Sequence, residues 1–167
     1  FAGEYRVAEL ATLGVEVGGN THVVINDAVV AGSTLGRMIE LDYSIGGEPI
    51  GSLPCDGLIC ATPAGSTAYN LSNGGPVLVW GLDAAVLSFV APHSLHVRPL
   101  VIGRGSDLVV RNASPEAGAT VLVDGHAVSE LAPGADVSIR IGERRSRIAM
   151  LPEQTFFRRY GDVFGAA

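Results

Sequence analysis

A mainly β domain, built as a multi-stranded β-sandwich, is what this sequence predicts, and three observations carry that reading. Strand-like apolar runs recur every eight to twelve residues, Gly, Pro, Asp and Asn separate them, and long apolar helical periodicity is rare. Two short helices are expected beside the strands: one just after the Thr62–Asn70 turn (TPAGSTAYN) and a candidate one at the C-terminus.

Taken in order, the runs fall at 13–17, 22–30, 38–45, 57–61, 86–90, 97–102, 107–111, 120–123, 137–141 and 147–151. Ile39, Leu41, Tyr43 and Ile45 alternate with more polar neighbours, as one face of a half-buried strand does. Gly46-Gly47 and Asp124-Gly125 are hairpin-turn signals, because both favour positive φ. Gly18-Gly19-Asn20 and the stretch 112–118 read as surface loops, with strands resuming promptly on either side. Leu58, Ile59, Cys60 and Ala61 form a short apolar run suited to a buried strand, and Pro63 takes the chain out of the sheet. Ser66 or Thr67 is placed to cap a helix over 68–72, which Asn73, Gly74, Gly75 and Pro76 would end. At the far end Phe156, Phe157, Tyr160 and Phe164 fall on one helical face, four of the ten aromatics in the chain, which suggests an amphipathic tail packed against something.

Composition fits one compact domain over residues 1–167. The chain is 47% hydrophobic with mean hydropathy +0.34, enough to bury a sizeable core. No apolar run approaches the roughly 20 residues that cross a bilayer, and neither a signal nor a transit peptide is recognisable, so no membrane partner and a cytoplasmic location are expected. A net charge of −6 speaks against nucleic acid as the main partner. All eleven basic residues are Arg, so charged contacts to a phosphate would come from guanidinium groups, helix ends or backbone N–H donors, although base bias in the genome accounts for the missing Lys equally simply. Cys55 and Cys60 lack zinc-site spacing; on an extended segment they would point to opposite faces about 16 Å apart, too far for a disulfide. His93 and His96 have no acidic or thiol companion nearby, and no metal held by this chain alone is expected.

The segment 56–76, DGLICATPAGSTAYNLSNGGP, holds an acid, a Gly-Ser-Thr turn, one aromatic and a Gly-Gly-Pro stop. A strand feeding a helix start offers unpaired N–H donors and a positive dipole end, fit for a phosphate, a ribose or the edge of a base. The plainer reading is a well-capped turn and nothing more.

These residues resemble the NAD kinases, whose C-terminal domain carries a Thr-Pro-x-Gly-Ser-Thr-Ala-Tyr segment ending in Ser-x-Gly-Gly-Pro. Asn26-Asp27 and Asp56-Gly57 upstream, and Ala91-Pro92-His93-Ser94-Leu95, Arg98-Pro99 and Val123-Asp124-Gly125-His126 downstream, follow in the family's order, so the resemblance covers nearly the whole chain. It implies the domain that binds the dinucleotide in an enzyme transferring a phosphoryl group from ATP or polyphosphate, with Mg²⁺, to the adenosine ribose 2′-hydroxyl of NAD, giving NADP. The family's catalytic aspartate lies in a Gly-Gly-Asp-Gly motif of an N-terminal α/β domain, and that motif is absent from this sequence. The chain alone is therefore expected to be inactive, with the N-terminal catalytic domain as its partner.

Carried over position by position, the resemblance implies that Asn26 and Asp27 bind the dinucleotide's hydroxyls and adenine. Thr67, Ala68, Tyr69, Asn70, Leu71 and Ser72 would wrap its two halves, and Asp56 would accept from the nicotinamide amide. Arg37 falls at a basic ligand contact, Ala91 at a pocket wall and His126 at a polar contact. Each has an ordinary structural reading as well: strand-end polar residues, a capped helix with Tyr69 in the core, turn residues, an exposed Arg. The family also forms dimers or tetramers through this domain, a neighbouring subunit completes the site, and the aromatic tail returns to the N-terminal domain, which would leave that stripe partly exposed here. Ala64 and Asn73 depart from the usual Thr and Ala, Pro54 stands where a basic residue is common, and Asp27 shortens the reach of the commoner Glu. Two other readings remain open: a stand-alone nucleotide-binding or regulatory module, and a related lipid kinase domain.

Overall fold

The computed structural model describes residues 3–34 and 36–165. Its strands are β1 (Arg6–Val17), β2 (Asn20–Val24), β3 (Asp27–Gly32), β4 (Ile39–Ile45), β5 (Glu48–Cys55), β6 (Gly57–Ala61), β7 (Ala84–Val90), β8 (Leu100–Gly103), β9 (Leu108–Asn112), β10 (Ala119–Val123), β11 (His126–Leu131) and β12 (Asp136–Met150). A 3₁₀ turn (Gly65–Thr67) runs into helix α1 (Tyr69–Ser72), and helix α2 spans Phe156–Phe164. The strands form two six-stranded antiparallel sheets, ordered β2-β1-β12-β9-β4-β5 and β11-β10-β3-β6-β7-β8. The mainly β, sandwich-like architecture with few helices is the one the strand cadence predicts.

Between the sheets lies the main core, in which Leu13, Val15, Leu41, Leu58, Leu108, Val121, Val137 and Ile139 are almost completely buried. Tyr43 of the first sheet and Phe89 of the second meet edge to face with ring centroids 5.1 Å apart. A second, smaller cluster lies on the outer face of the second sheet, where Val29, Ile59, Ala61 and Val86 pack under Leu78. β6 is thus buried on both faces, which is why Leu58–Ala61 reads as an unbroken apolar run rather than an alternation.

Several expectations are corrected by tertiary pairing. The run 22–30 is two strands, because the chain leaves the first sheet after Val24 and enters the second at Asp27. β5 was not expected, since Pro49, Gly51 and Pro54 look like turn residues; it is an edge strand, where a missing N–H faces no partner. β11 is likewise an edge strand, half polar and largely exposed, and carries little strand signal. The stretches 137–141 and 147–151 belong to one strand, β12, whose charged middle forms a bulge: Ala11 pairs with Arg145 but Leu13 with Ile141. Thr12 pins that bulge by donating its hydroxyl to the Arg144 carbonyl at 2.6 Å, and Gly142 leaves the room, since a Cβ there would lie 2.7 Å from Thr12 Oγ1.

Cys55 and Cys60 do not point to opposite faces of one extended segment. The chain changes sheets at Asp56, so both thiols turn into the same core as free, buried groups. Burial pushes each up to about 12; at Cys55 the Gly57 N–H opposes and the Asp56 charge adds, and at Cys60 the Asp27 charge adds. Ser66 and Thr67 do not cap the short helix. They sit in the 3₁₀ turn, their hydroxyls donating to the carbonyls of Pro63 and Ala64, and Ala68 precedes α1 without a side-chain cap.

α2 starts at Thr155, whose hydroxyl accepts from the Arg158 N–H. It buries no residue fully. Phe156 stacks near Trp80 at 5.7 Å and Arg159 lies 5.4 Å from the same ring, while Phe157, Tyr160 and Phe164 stay 42–69% exposed.

Candidate functional site

The chain crosses between sheets at two places the sequence marks with an acid, Asn26-Asp27 and Asp56-Gly57. They lie at opposite ends of the same strand pair, because β3 and β6 run antiparallel with Asp27 opposite Ala61 and Ala31 opposite Gly57. The length of β6, about 16 Å, separates them.

At the first crossover the backbone is gripped from both sides. The Asp124 carboxylate accepts from the N–H groups of Ile25 (2.9 Å), Asn26 (2.6 Å) and Asp27 (3.3 Å), and the Asp124 N–H donates to the Asp27 carbonyl at 3.0 Å. From the other side Thr62 donates its hydroxyl to the Ile25 carbonyl and its N–H to the Asn26 carbonyl, while its Oγ1 accepts from the Gly65 N–H. Gly65 rests directly on this bend; a Cβ there would lie 2.0 Å from the Asn26 carbonyl oxygen. Asn26 is exposed, whereas Asp27 is 7% exposed, and burial first and the Asp124 charge second raise its carboxyl above the usual carboxylate range. His126 follows on the same turn, exposed, with Nδ1 3.0 Å from the Asp124 carbonyl.

From this bend the segment 62–78 is laid across the outer face of the second sheet. Ser66 is fully buried and ties the segment to itself, donating to the Pro63 carbonyl and accepting from the Leu78 N–H. Asn70 is also fully buried: its amide donates to the carbonyls of Ser66 and Pro76, and Gly75 packs against its Oδ1, which has no hydrogen-bond partner among the described residues. With those residues turned inward, Thr67, Ala68, Tyr69 and Ser72 are left facing solvent, Tyr69 46% exposed, while Leu71 is half-buried. Asn73 then donates to the Phe89 carbonyl at 2.8 Å, so the segment ends over β7.

The second crossover is built differently. Asp56 is held only through its backbone, its N–H donating to the Val90 carbonyl and its carbonyl accepting from the Gly32 N–H, and its side chain is exposed. Ala91 follows Val90, the partner of Gly57, and adopts φ +44°, an uncommon conformation for a residue with a Cβ. It lines a cleft of about 220 Å³ together with Asn73, Gly74, Ser88 and Pro99. Arg37 lies on the loop before β4, exposed, with a guanidinium 3.4 Å from Glu116.

The fold therefore gathers Asn26, Asp27, Thr67, Ala68, Tyr69 and His126 around one end of the second sheet, and Arg37, Asp56 and Ala91 around the other. The 67–73 segment runs between them. Thr62, Gly65 and Asp124 hold the first end together; the sequence places them in motifs without showing that they grip this bend. Asp124-Gly125 carries a hairpin signal and part of the family resemblance, and nothing in the spacing shows that the turn's carboxylate reaches a bend 97 residues away. No three His, Cys, Asp or Glu side chains converge among the described residues, so this donor set does not fit Mg²⁺ by itself.

Two stacked antiparallel sheets with a polar turn laid across one outer face define an antiparallel β-sandwich domain. Residues 25–151 match the model of the ATP-NAD kinase C-terminal domain. Relatives include an NAD kinase of Heliobacterium modesticaldum, 36% identical over 164 residues, which cover 94% of this chain and 57% of the relative. An NAD kinase 2 of Streptomyces avermitilis is 35% identical, over 91% of this chain and 52% of its own length. Among solved structures, a yeast NADH kinase complexed with NADH superposes with a TM-score of 0.84 at 21% identity, covering 96% of this chain and 50% of that one. An Archaeoglobus fulgidus NAD kinase in complex with ATP gives 0.79 at 24% identity, covering 97% and 62%. The chain belongs to the NAD kinase family, in which it corresponds to the C-terminal domain. It spans about half the length of the curated relatives it matches.

Proposed function

We propose that this chain is the dinucleotide-binding and self-associating domain of a cytoplasmic NAD kinase, one that phosphorylates the adenosine ribose 2′-hydroxyl of NAD with ATP or polyphosphate to give NADP. The observation that carries the reading is the exposed ledge formed by Thr67, Ala68 and Tyr69 beside the Asn26–Asp27 bend, held at the end of a rigid sheet. Asn26 supplies a donor and an acceptor for hydroxyls or a base edge, Asp27 an acceptor, and Tyr69 a flat face for a ring. Two carboxylates at this bend disfavour a phosphate there, so the ribose and base fit this end better than the pyrophosphate does.

Within this chain the residues bind and orient. The phosphoryl donor, the divalent ion that neutralises its charge, and the group that takes the 2′-hydroxyl proton belong to the catalytic region outside these residues, since transfer of this kind rests on positioning and charge stabilisation. Arg37, Asp56 and Ala91 lie too far along the sheet to touch the same ring as Asn26, and a second copy of the chain is the source we assign for completing either half of the site. Dimers or tetramers follow from that.

Calorimetric titration of NAD and NADP into the protein tests the reading, with Tyr69→Ala and Asn26→Ala beside it. Binding that each substitution weakens about tenfold or more supports the ledge. A full-length protein carrying this chain that folds yet forms no NADP from NAD and either donor would sink the assignment.

A further inference from the structure

Asp124 stands at the first position of the β10–β11 hairpin turn, where φ is +48° and Gly125 follows at +80°. An Asn or Gly would serve that turn as well, since both tolerate positive φ. The carboxylate does something the turn does not require. Both of its oxygens are spent on the backbone of another element: Oδ2 accepts from Ile25, Oδ1 from Asn26 and Asp27. Ile25 and Asn26 lie between β2 and β3, in neither strand, and Asp27 opens β3, so these N–H groups sit where the chain passes from one sheet to the other. The grip is reciprocal, because the Asp124 N–H also closes on the Asp27 carbonyl. Thr62 and Gly65 hold the opposite side of the bend through its carbonyls, so Asp124 alone supplies acceptors to its N–H side among the described residues.

We infer that Asp124 is the positioning residue of the dinucleotide site: it fixes the backbone of residues 25–27 so that the exposed Asn26 amide faces the ligand. Asp124 does not touch the dinucleotide itself. This inference rests on the reading of the Asn26–Asp27 bend as an NAD contact. It also accounts for the chemistry offered there, because the N–H donors of the bend, which would otherwise suit an anion, are already taken and only side chains remain for hydroxyls and base edges.

The test uses the full-length protein carrying this chain, with Asp124→Gly and Asp124→Asn. Glycine accepts the positive φ, so it removes the carboxylate without straining the hairpin. Asparagine keeps one acceptor oxygen and also tolerates the turn. Calorimetric titration of NAD should show affinity lowered about tenfold or more in Asp124→Gly and largely regained in Asp124→Asn, in line with loss and partial retention of charge-assisted hydrogen bonds. Amide hydrogen exchange should accelerate at Ile25, Asn26 and Asp27 in Asp124→Gly. In Asp124→Asn it should accelerate at Ile25, whose acceptor becomes an NH₂ group, and stay slow at Asn26, which keeps the test open even if the glycine form fails to fold. A folded Asp124→Gly protein that binds NAD as wild type does overturns the inference alone, as does an affinity loss without faster exchange at these three residues, or unchanged Ile25 exchange in Asp124→Asn. A wild-type protein that binds no NAD overturns both this inference and the functional reading beneath it.

Discussion

The two crossovers between the sheets start from the same kind of sequence signal, an acid at a strand boundary, and end in opposite environments. At Asn26–Asp27 the backbone is held by Asp124, Thr62 and Gly65, and the Asp27 carboxylate is buried against like charge. At Asp56–Gly57 two backbone hydrogen bonds suffice and the carboxylate points into solvent. A crossover that must hold side chains in a defined direction needs partners from distant elements, whereas one whose side chain only has to be presented needs none.

The largest way to break this contrast is Gly65→Ala. The added methyl would collide with the Asn26 carbonyl at 2.0 Å, so the turn or the bend must move. A loss of about 1–3 kcal/mol is expected in chemical denaturation, with NAD binding lost as well. Core truncation under both crossovers should cost at least as much without choosing between them. Leu58→Ala, on the strand joining the two, is expected to lose about 2–5 kcal/mol by the same measurement.

Asp27→Asn sharpens the difference through pH. The folded-state carboxyl of Asp27 is raised, so its ionised form works against folding near neutrality, and that cost is relieved as pH falls through the raised value. The Asn variant should therefore be more stable than wild type at pH 7 and lose its advantage on acidification, read from melting temperatures across the pH range. Asp83 shows the opposite sign. Its hydrogen bonds to Arg104, and then to Arg145, draw its carboxyl down to about 2 and link β12 of one sheet to the β7 end of the other. That stability is present above the ordinary Asp value and is lost as pH falls from about 4 towards 2. The pair is partly exposed, so Asp83→Asn should cost only about 0–1 kcal/mol at neutral pH, less in high salt. The smallest stability effect belongs to the open crossover: Asp56→Asn should stay within about 0.5 kcal/mol of wild type. Its NAD affinity should nevertheless fall, and more so at protein concentrations where the chain self-associates.

Much of the fold was legible because local chemistry and tertiary structure agree. Leu58–Ala61 is apolar on both faces because it is buried on both faces, and Gly46-Gly47 and Asp124-Gly125 turn because their backbones need positive φ. β5 and β11 were hidden because edge strands tolerate Pro, Gly and polar residues, so pairing with one neighbour defines them and composition does not. The charged run in β12 reads as a gap for a related reason: its Arg side chains reach acids on other segments, Arg145 to Asp83 just before β7 and Arg147 to Glu9 on β1, and the pairing with β1 continues beneath them. In the candidate site, the motif does not show the direction of its side chains. Asn70 reads as a ligand group and Ser66 as a helix cap, and the fold turns both inward to brace the turn.

By itself the sequence determined the β class, the hairpin turns, the buried central strand and the family, since each is read from short local patterns and their order along the chain. Only the tertiary structure decided which sheet each strand joins, that both cysteines share one core, and that Asp124 closes on a bend nearly a hundred residues earlier. Those outcomes depend on contacts between segments far apart in the chain, and a local pattern carries no information about which distant N–H a carboxylate will satisfy.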